Sequence, residues 1–292
     1  MEEATRTVSH DVAPYLLERP TVEALPLLFD SPHSGRHYPA DWATPLPRLD
    51  LRLGEDAFVD ELIGDAPGHG ITLIAAQFPR CYIDVNREID DIDPELLDAP
   101  WPGPTRLRPT EKSRKGLGLI RRFVVPGKAI VEGPLSVGDV RSRIDRIYAP
   151  YHRALAEENS RIRERFGFVW HIDWHSMKSR GNAMTPDGEG ARRPDMVVGD
   201  LDGKSAEPRL VDLVVSHLRG AGYRVTLNDP YKGATIVRRY GDPAGGCSTI
   251  QIELNRALYL DEPRVEPTAG FAMLKRSLGS LMSALAAEVR RI

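Results

Sequence analysis

The 292-residue chain carries 39 Lys and Arg against 42 Asp and Glu, a formal net charge of −3, and 41% of its residues are hydrophobic. That is ordinary globular composition with enough length for a large core, and the near-neutral balance argues against a nucleic-acid partner held mainly through phosphates. No apolar run approaches the ~20 residues that span a bilayer, the first twenty residues lack the basic and apolar regions of a secretory leader, and two distant cysteines, Cys81 and Cys247, exclude a disulfide scaffold and fit a reducing, cytoplasmic setting.

Along the chain, short apolar runs alternate with amphipathic stretches, which predicts an α/β fold. Strands are expected at 25–30, 71–77, 81–85, 168–173, 196–198, 223–227 and 249–254. Several are continuous apolar runs, as in strands covered on both faces. A short helix is expected at 56–62. A long one should run from a cap at Asp139 to about Phe166, because Val140, Ile144, Ile147, Tyr151 and Leu155 recur at spacings of three and four. Pro150 should kink it and Gly167 should end it. Further helices are expected at 207–220 and 269–289. The stretch 93–128 is rich in Pro, Gly and Arg and has no period, and 45–47 and 184–194 read as loops. No linker divides the chain, so residues 1–292 are expected to form one domain.

Four segments carry candidate chemistry. The run F-D-S-P-H-S-G at 29–35 takes an apolar strand directly into a polar turn, and ligands of α/β sheets sit beyond the carboxyl ends of strands. His33 stands there, either as a ligand or as a loop histidine satisfied by backbone. The acids Glu55, Asp56, Asp60 and Glu61 either favour a helix N-terminus or supply a ligand. In the strand leading through His171, Asp173 and His175, the three polar residues share one face. His175 lies at the carboxyl end, with Asp173 placed to orient a ligand histidine. In the last strand Ile250, Ile252 and Leu254 alternate with Gln251, Glu253 and Asn255, which fits a half-exposed strand or a general base at Glu253. Two histidines and a carboxylate make a three-ligand zinc site with a position open for water, and a further Glu can act there as base and acid.

The motifs S-P-H-S-G at 31–35, E-D-A-F-V-D-E-L at 55–62, R-C-Y-I-D-V-N-R-E at 80–88, Y-x-P-Y-H at 148–152, D-W-H-S-M at 173–177, P-Y-K-G at 230–233 and Q-I-E-L-N-R at 251–256 together resemble the N-formylglutamate amidohydrolase family. The resemblance spans roughly residues 25–262, with the motifs in the family's order. It implies a zinc carboxypeptidase-like fold, a three-layer sandwich whose mixed, mostly parallel sheet is flanked by helices. It implies one Zn2+, or another divalent ion, on His33, Asp56 and His175, with Glu55 a rival to Asp56. It further implies Glu253 as catalytic base and acid. Asn86 and Arg87 would grip a substrate carboxylate, as a guanidinium and a neighbouring amide are suited to do. Arg80 would polarise the scissile carbonyl or serve as a salt-bridged residue. Arg256 would be a second carboxylate ligand or a partner of Glu253. Tyr231, Lys232 and Gly233 would belong to a substrate loop.

The implied activity is hydrolysis of N-formyl-L-glutamate to formate and L-glutamate, as in histidine degradation. The partner is then a small anionic N-acyl amino acid rather than a membrane or a nucleic acid. Rival readings are another N-acyl amino acid hydrolase or carboxypeptidase of the same fold, and a non-catalytic protein that binds a metal or a small molecule. The basic run R-P-T-E-K-S-R-K at 108–115 is the only support for nucleic-acid binding and reads as a solvated loop.

Overall fold

The computed structural model describes residues 12–104 and 106–292, so most of the segment read above as lacking a leader lies outside the described residues. Seven strands form one sheet: β1 (Tyr15–Glu18), β2 (Leu27–Ser31), β3 (Thr72–Ala76), β4 (Val169–Met177), β5 (Met196–Gly199), β6 (Val225–Leu227) and β7 (Cys247–Asn255). Their order is β1-β3-β2-β4-β7-β5-β6. The central four, β3, β2, β4 and β7, are mutually parallel. β1 runs antiparallel to β3, and the parallel pair β5–β6 joins antiparallel to β7. A separate ribbon pairs β8 (Leu260–Asp261) with β9 (Glu266–Pro267).

The helices are α1 (Arg48–Arg52), α2 (Val59–Leu62), α3 (Glu111–Arg114), α4 (Val137–Arg143), α5 (Ala149–Phe166), α6 (Pro208–Gly220), α7 (Thr235–Tyr240) and α8 (Gly270–Val289). Strand alternation sends Phe29, Trp170, Ile172 and Ile252 to one face, where they pack with Leu210 and Val214 of α6 and Leu278 and Leu281 of α8. Leu28, Ile74 and Val169 point the other way, against Tyr151, Leu155 and Ile162 of α5. The result is the expected α/β sandwich of three layers with a mixed, mostly parallel sheet.

The odd positions of β4 follow the same parity as Val169, so His171 and Asp173 lie beneath the α5 layer. Burial there demands partners. His171 Nε2 meets Asp30 Oδ1 at 2.8 Å, and Tyr151 donates from its hydroxyl to Asp30 Oδ2 at 2.8 Å. This buried polar layer leads up to His175 at the end of the strand.

Some elements differ from expectation. Residues 81–85 are not a strand. The amides of Tyr82 and Ile83 turn back to the Pro79 carbonyl, and the apolar run is buried by loop packing instead of by a sheet partner. Only Val59–Leu62 of the expected 56–62 helix is helical, because Phe58 takes a left-handed conformation at φ 62°. The long helix is capped by Ser136, three residues before Asp139. A π-helical turn over Ile144–Tyr148 interrupts it just before Pro150, whose missing N–H breaks the helical ladder. Gly167 ends it as expected, at φ 84°. β1 was not anticipated.

Candidate active site

The site lies beyond the carboxyl ends of the central parallel strands. β2 runs out at Ser31, and the turn that follows carries His33. Its shape depends on Gly35, where a Cβ would stand 2.3 Å from the Phe78 carbonyl oxygen. The His33 carbonyl accepts from the Asp56 amide at 3.0 Å, tying the two loops together. β4 delivers His175, and in the parallel register of β4 and β7 its partner is Glu253. The two residues therefore sit side by side at the sheet's upper edge.

His33 Nδ1, His175 Nδ1 and Asp56 Oδ2 converge. The nitrogens are 3.0 Å apart, and the carboxylate oxygen lies 3.3 Å from the first and 2.9 Å from the second. A tetrahedron with bonds of about 2.0–2.1 Å has edges of about 3.3 Å, so the three donors match one face of a tetrahedral cation site. Both rings are braced from behind. His33 Nε2 is 2.7 Å from Asp84 Oδ1, and His175 Nε2 is 2.9 Å from Asp173 Oδ1. For His33 the Asp84 carboxylate on the far nitrogen places the proton there and turns the Nδ1 lone pair inward, the arrangement of metal-ligating histidines; behind His175 the Asp173 carboxylate supplies a close negative charge. These residues therefore fit a divalent cation. The rival acid, Glu55, faces elsewhere: its carboxylate accepts from the Tyr38 hydroxyl and from Arg52 Nε at 3.1 Å.

The electrostatics follow from burial and pairing. Desolvation and the Arg80 charge lower the pKa of His33. Burial opposes charge on His175, but Asp173 and Asp56 outweigh it and hold its pKa well above the ordinary value. Burial is also the main cause of the raised pKa of Glu253. Gln251 Nε2 donates to Glu253 Oε1 at 2.9 Å and fixes that carboxylate.

The other expected residues take specific places. Arg80 grips Asp84 Oδ2 through Nε at 3.1 Å and Nη2 at 2.8 Å, leaving Nη1 3.8 Å from Asp56 Oδ1. Asn86 is held within the protein. Its Nδ2 donates to Asp173 Oδ2 at 3.2 Å and lies 2.9 Å from His175 Nε2, while its Oδ1 accepts from the Ile236 amide at 2.8 Å. Arg87 gives Nε to the Leu117 carbonyl and Nη1 to the Asn86 carbonyl. Arg256 is committed to Asp56 Oδ1, Ser176 Oγ and the Leu53 carbonyl at 3.0–3.1 Å, and not to Glu253. Tyr231 and Gly233 line the same cleft; Gly233 has φ +113°, which favours glycine.

The cleft above these groups has a volume of about 540 Å³. Its walls include cations not singled out from sequence, Lys112, Arg121 and Arg193. Lys112 stands on α3, inside the run read as a solvated loop. The Arg87 charge, then desolvation, pull its pKa down to about 8. Asp84 was also missed as a brace. Its signal was position, two residues before Asn86 in a quoted motif, whereas nothing in the local sequence marked Lys112 as reaching the cleft.

A family model described as N-formylglutamate amidohydrolase matches residues 25–260. The N-formylglutamate deformylase of Pseudomonas putida is 31% identical over 248 residues, covering 82% of this chain and 83% of that protein. The Pseudomonas aeruginosa protein of the same name is 30% identical over 242 residues, with the same coverage. The crystal structure of an N-formylglutamate amidohydrolase from Ralstonia eutropha JMP134 superposes with a TM-score of 0.89 at 46% identity, over 96% of this chain and 99% of that one.

Proposed function

The chain belongs to the N-formylglutamate amidohydrolase family, and from that premise we infer that it hydrolyses the formyl amide of N-formyl-L-glutamate, releasing formate and L-glutamate. The observation that carries the reading is the convergence of His33 Nδ1, His175 Nδ1 and Asp56 Oδ2 within 2.9–3.3 Å, beside Glu253, in a cleft of basic character.

His33, Asp56 and His175 would hold one divalent cation. Two imidazoles and one carboxylate are the donor set of hydrolytic zinc, so Zn2+ is the ion proposed. When bound, it supplies a water of lowered pKa and a Lewis acid for the carbonyl oxygen. Glu253 accepts the proton of the attacking water and returns it to the amide nitrogen. That return is needed because an unprotonated amine is a poor leaving group. Its half-buried setting, dry enough to raise its pKa, favours a carboxylate that accepts a proton readily. The free Nη1 edge of Arg80 faces the developing oxyanion, while its other nitrogens remain on Asp84.

Arg87 receives a substrate carboxylate through the Nη2 it does not spend on backbone carbonyls. Asn86 positions His175 through Asp173, and Arg256 positions Asp56. Tyr231 and Gly233 line the cleft as part of the substrate loop. Residues 1–292 act as one catalytic domain, and the two buried, unpaired cysteines support a cytoplasmic location. No helix among the described residues is long and apolar enough to cross a membrane.

The direct test is formate release from N-formyl-L-glutamate by zinc-loaded protein. Bound metal without formate release would refute the reading.

A further inference from the structure

We propose that Arg121 receives the side-chain carboxylate of the substrate and so makes the cleft selective for dicarboxylic N-acyl amino acids. This deepens the hydrolase reading and rests on it. The Arg121 side chain is only 9% exposed, yet its Nε has no hydrogen-bond partner among the described residues. A buried guanidinium in that condition is rare, because its desolvation has to be offset.

The nearest acid does not offset it. Asp84 Oδ2 lies 3.8 Å from Arg121 Nε and already accepts two bonds from Arg80. Asp84 Oδ1 is taken by His33 Nε2 and the Asn86 amide. One carboxylate thus faces Arg80 and Arg121, with the Arg87 charge close enough to act on the same group. Burial and the Arg80 charge pull the Arg121 pKa down to about 9, as expected of a cation short of an anion.

Arg121 borders the same cleft as His33, Asp56 and Glu253. Arg87 presents one guanidinium nitrogen with no hydrogen-bond partner among the described residues, which accounts for one substrate carboxylate. Arg121 presents a separate guanidinium for another. A monocarboxylic acyl amino acid would leave it unpaired, whereas glutamate carries the two carboxylates that two forks can take. The irregular stretch 93–128, which supplies both Arg121 and Lys112, is therefore a specificity element.

The experiment compares kcat/KM for N-formyl-L-glutamate and its neutral isostere N-formyl-L-glutamine, in wild type and Arg121→Met at matched metal content. Loss of one charge-assisted contact predicts a fall of roughly 30–100-fold for the glutamate substrate, mainly through KM. The glutamine substrate should change by less than about 3-fold. Equal losses on both substrates would assign Arg121 a structural role beside Asp84 and overturn the proposal, as would no loss on either.

Binding of glutarate, which has two carboxylates and no scissile amide, is measured by calorimetry on the same proteins. Its affinity should fall by a similar factor, and an unchanged affinity counts against the subsite. If wild type releases no formate but glutarate binding depends on Arg121, the hydrolase reading fails and the subsite stands. If wild type hydrolyses N-formylglutamate and Arg121→Met keeps its selectivity, the reverse holds. Should Arg121→Met not fold, Arg121→Lys keeps the charge without the fork. A reduced glutamate-to-glutamine ratio in that variant supports the proposal and an unchanged ratio overturns it.

Discussion

Replacing Asp84 by Asn keeps the shape of the side chain and removes one buried charge. In the folded protein that charge holds Arg80 through bonds of 2.8 and 3.1 Å and braces His33 Nε2 at 2.7 Å. Unpairing one side of a buried ion pair costs about 3–5 kcal/mol. At about 2 °C per kcal/mol for a chain of this size, the melting temperature of Asp84→Asn should fall by roughly 6–10 °C. The brace behind a ligand histidine is worth about 10–100-fold in metal affinity, or about 1.4–2.8 kcal/mol.

Both quantities are measurable, by calorimetric melting and by zinc titration in a metal buffer. The Asp84 pKa lies well below the ordinary carboxylate value: burial raises it, and Arg80 and His33 more than reverse that. A depressed folded pKa contributes stability that is present above the unfolded value of about 3.9 and is lost as pH falls through the folded value. The gap in melting temperature between wild type and variant should therefore narrow below about pH 4. An Asp84→Asn protein with unchanged zinc affinity and unchanged melting temperature would refute the reasoning.

Glu253→Gln should retain zinc and lose about 10²–10⁴-fold in kcat, checked by metal analysis alongside formate release. Full turnover in that variant would remove Glu253 from proton transfer. His175→Ala should lower bound zinc after dialysis, and an undiminished metal content would take His175 out of the ligand set. Zinc binding should strengthen with rising pH and release protons near neutrality, because Asp173 and Asp56 hold the His175 pKa above its ordinary value and the cation must displace that proton. Calorimetry in buffers of different ionisation enthalpy would detect the release.

The central sheet was legible because its strands announce themselves locally. Val169, Trp170, Ile172 and Trp174 are apolar residues at the right spacing, and the polar residues between them already placed His175 and Asp173 on one face. Residues 81–85 have equally apolar composition and were misread, because strand formation needs a partner that local sequence does not name. The same limit applies to the site. His33, Asp56 and His175 stood out through motifs and strand ends. Arg121 and Lys112 reach the cleft from an aperiodic segment, so their placement depends on tertiary packing. Arg256 stands close to Glu253 in sequence, but it lies past the end of β7 in a tight helical turn over Arg256–Leu258, and its guanidinium goes to Asp56.

The tie between the His33 carbonyl and the Asp56 amide, and the pairing of β2 with β4, have a consequence for how the protein is assembled. The ligands come from segments separated by 119 and 142 residues. No short fragment brings them together, so an unfolded chain would have to close long loops before three donors met. The cation should therefore find its site only after the sheet has formed. It should then act as a late clamp on a finished fold, adding stability in proportion to the logarithm of its free concentration.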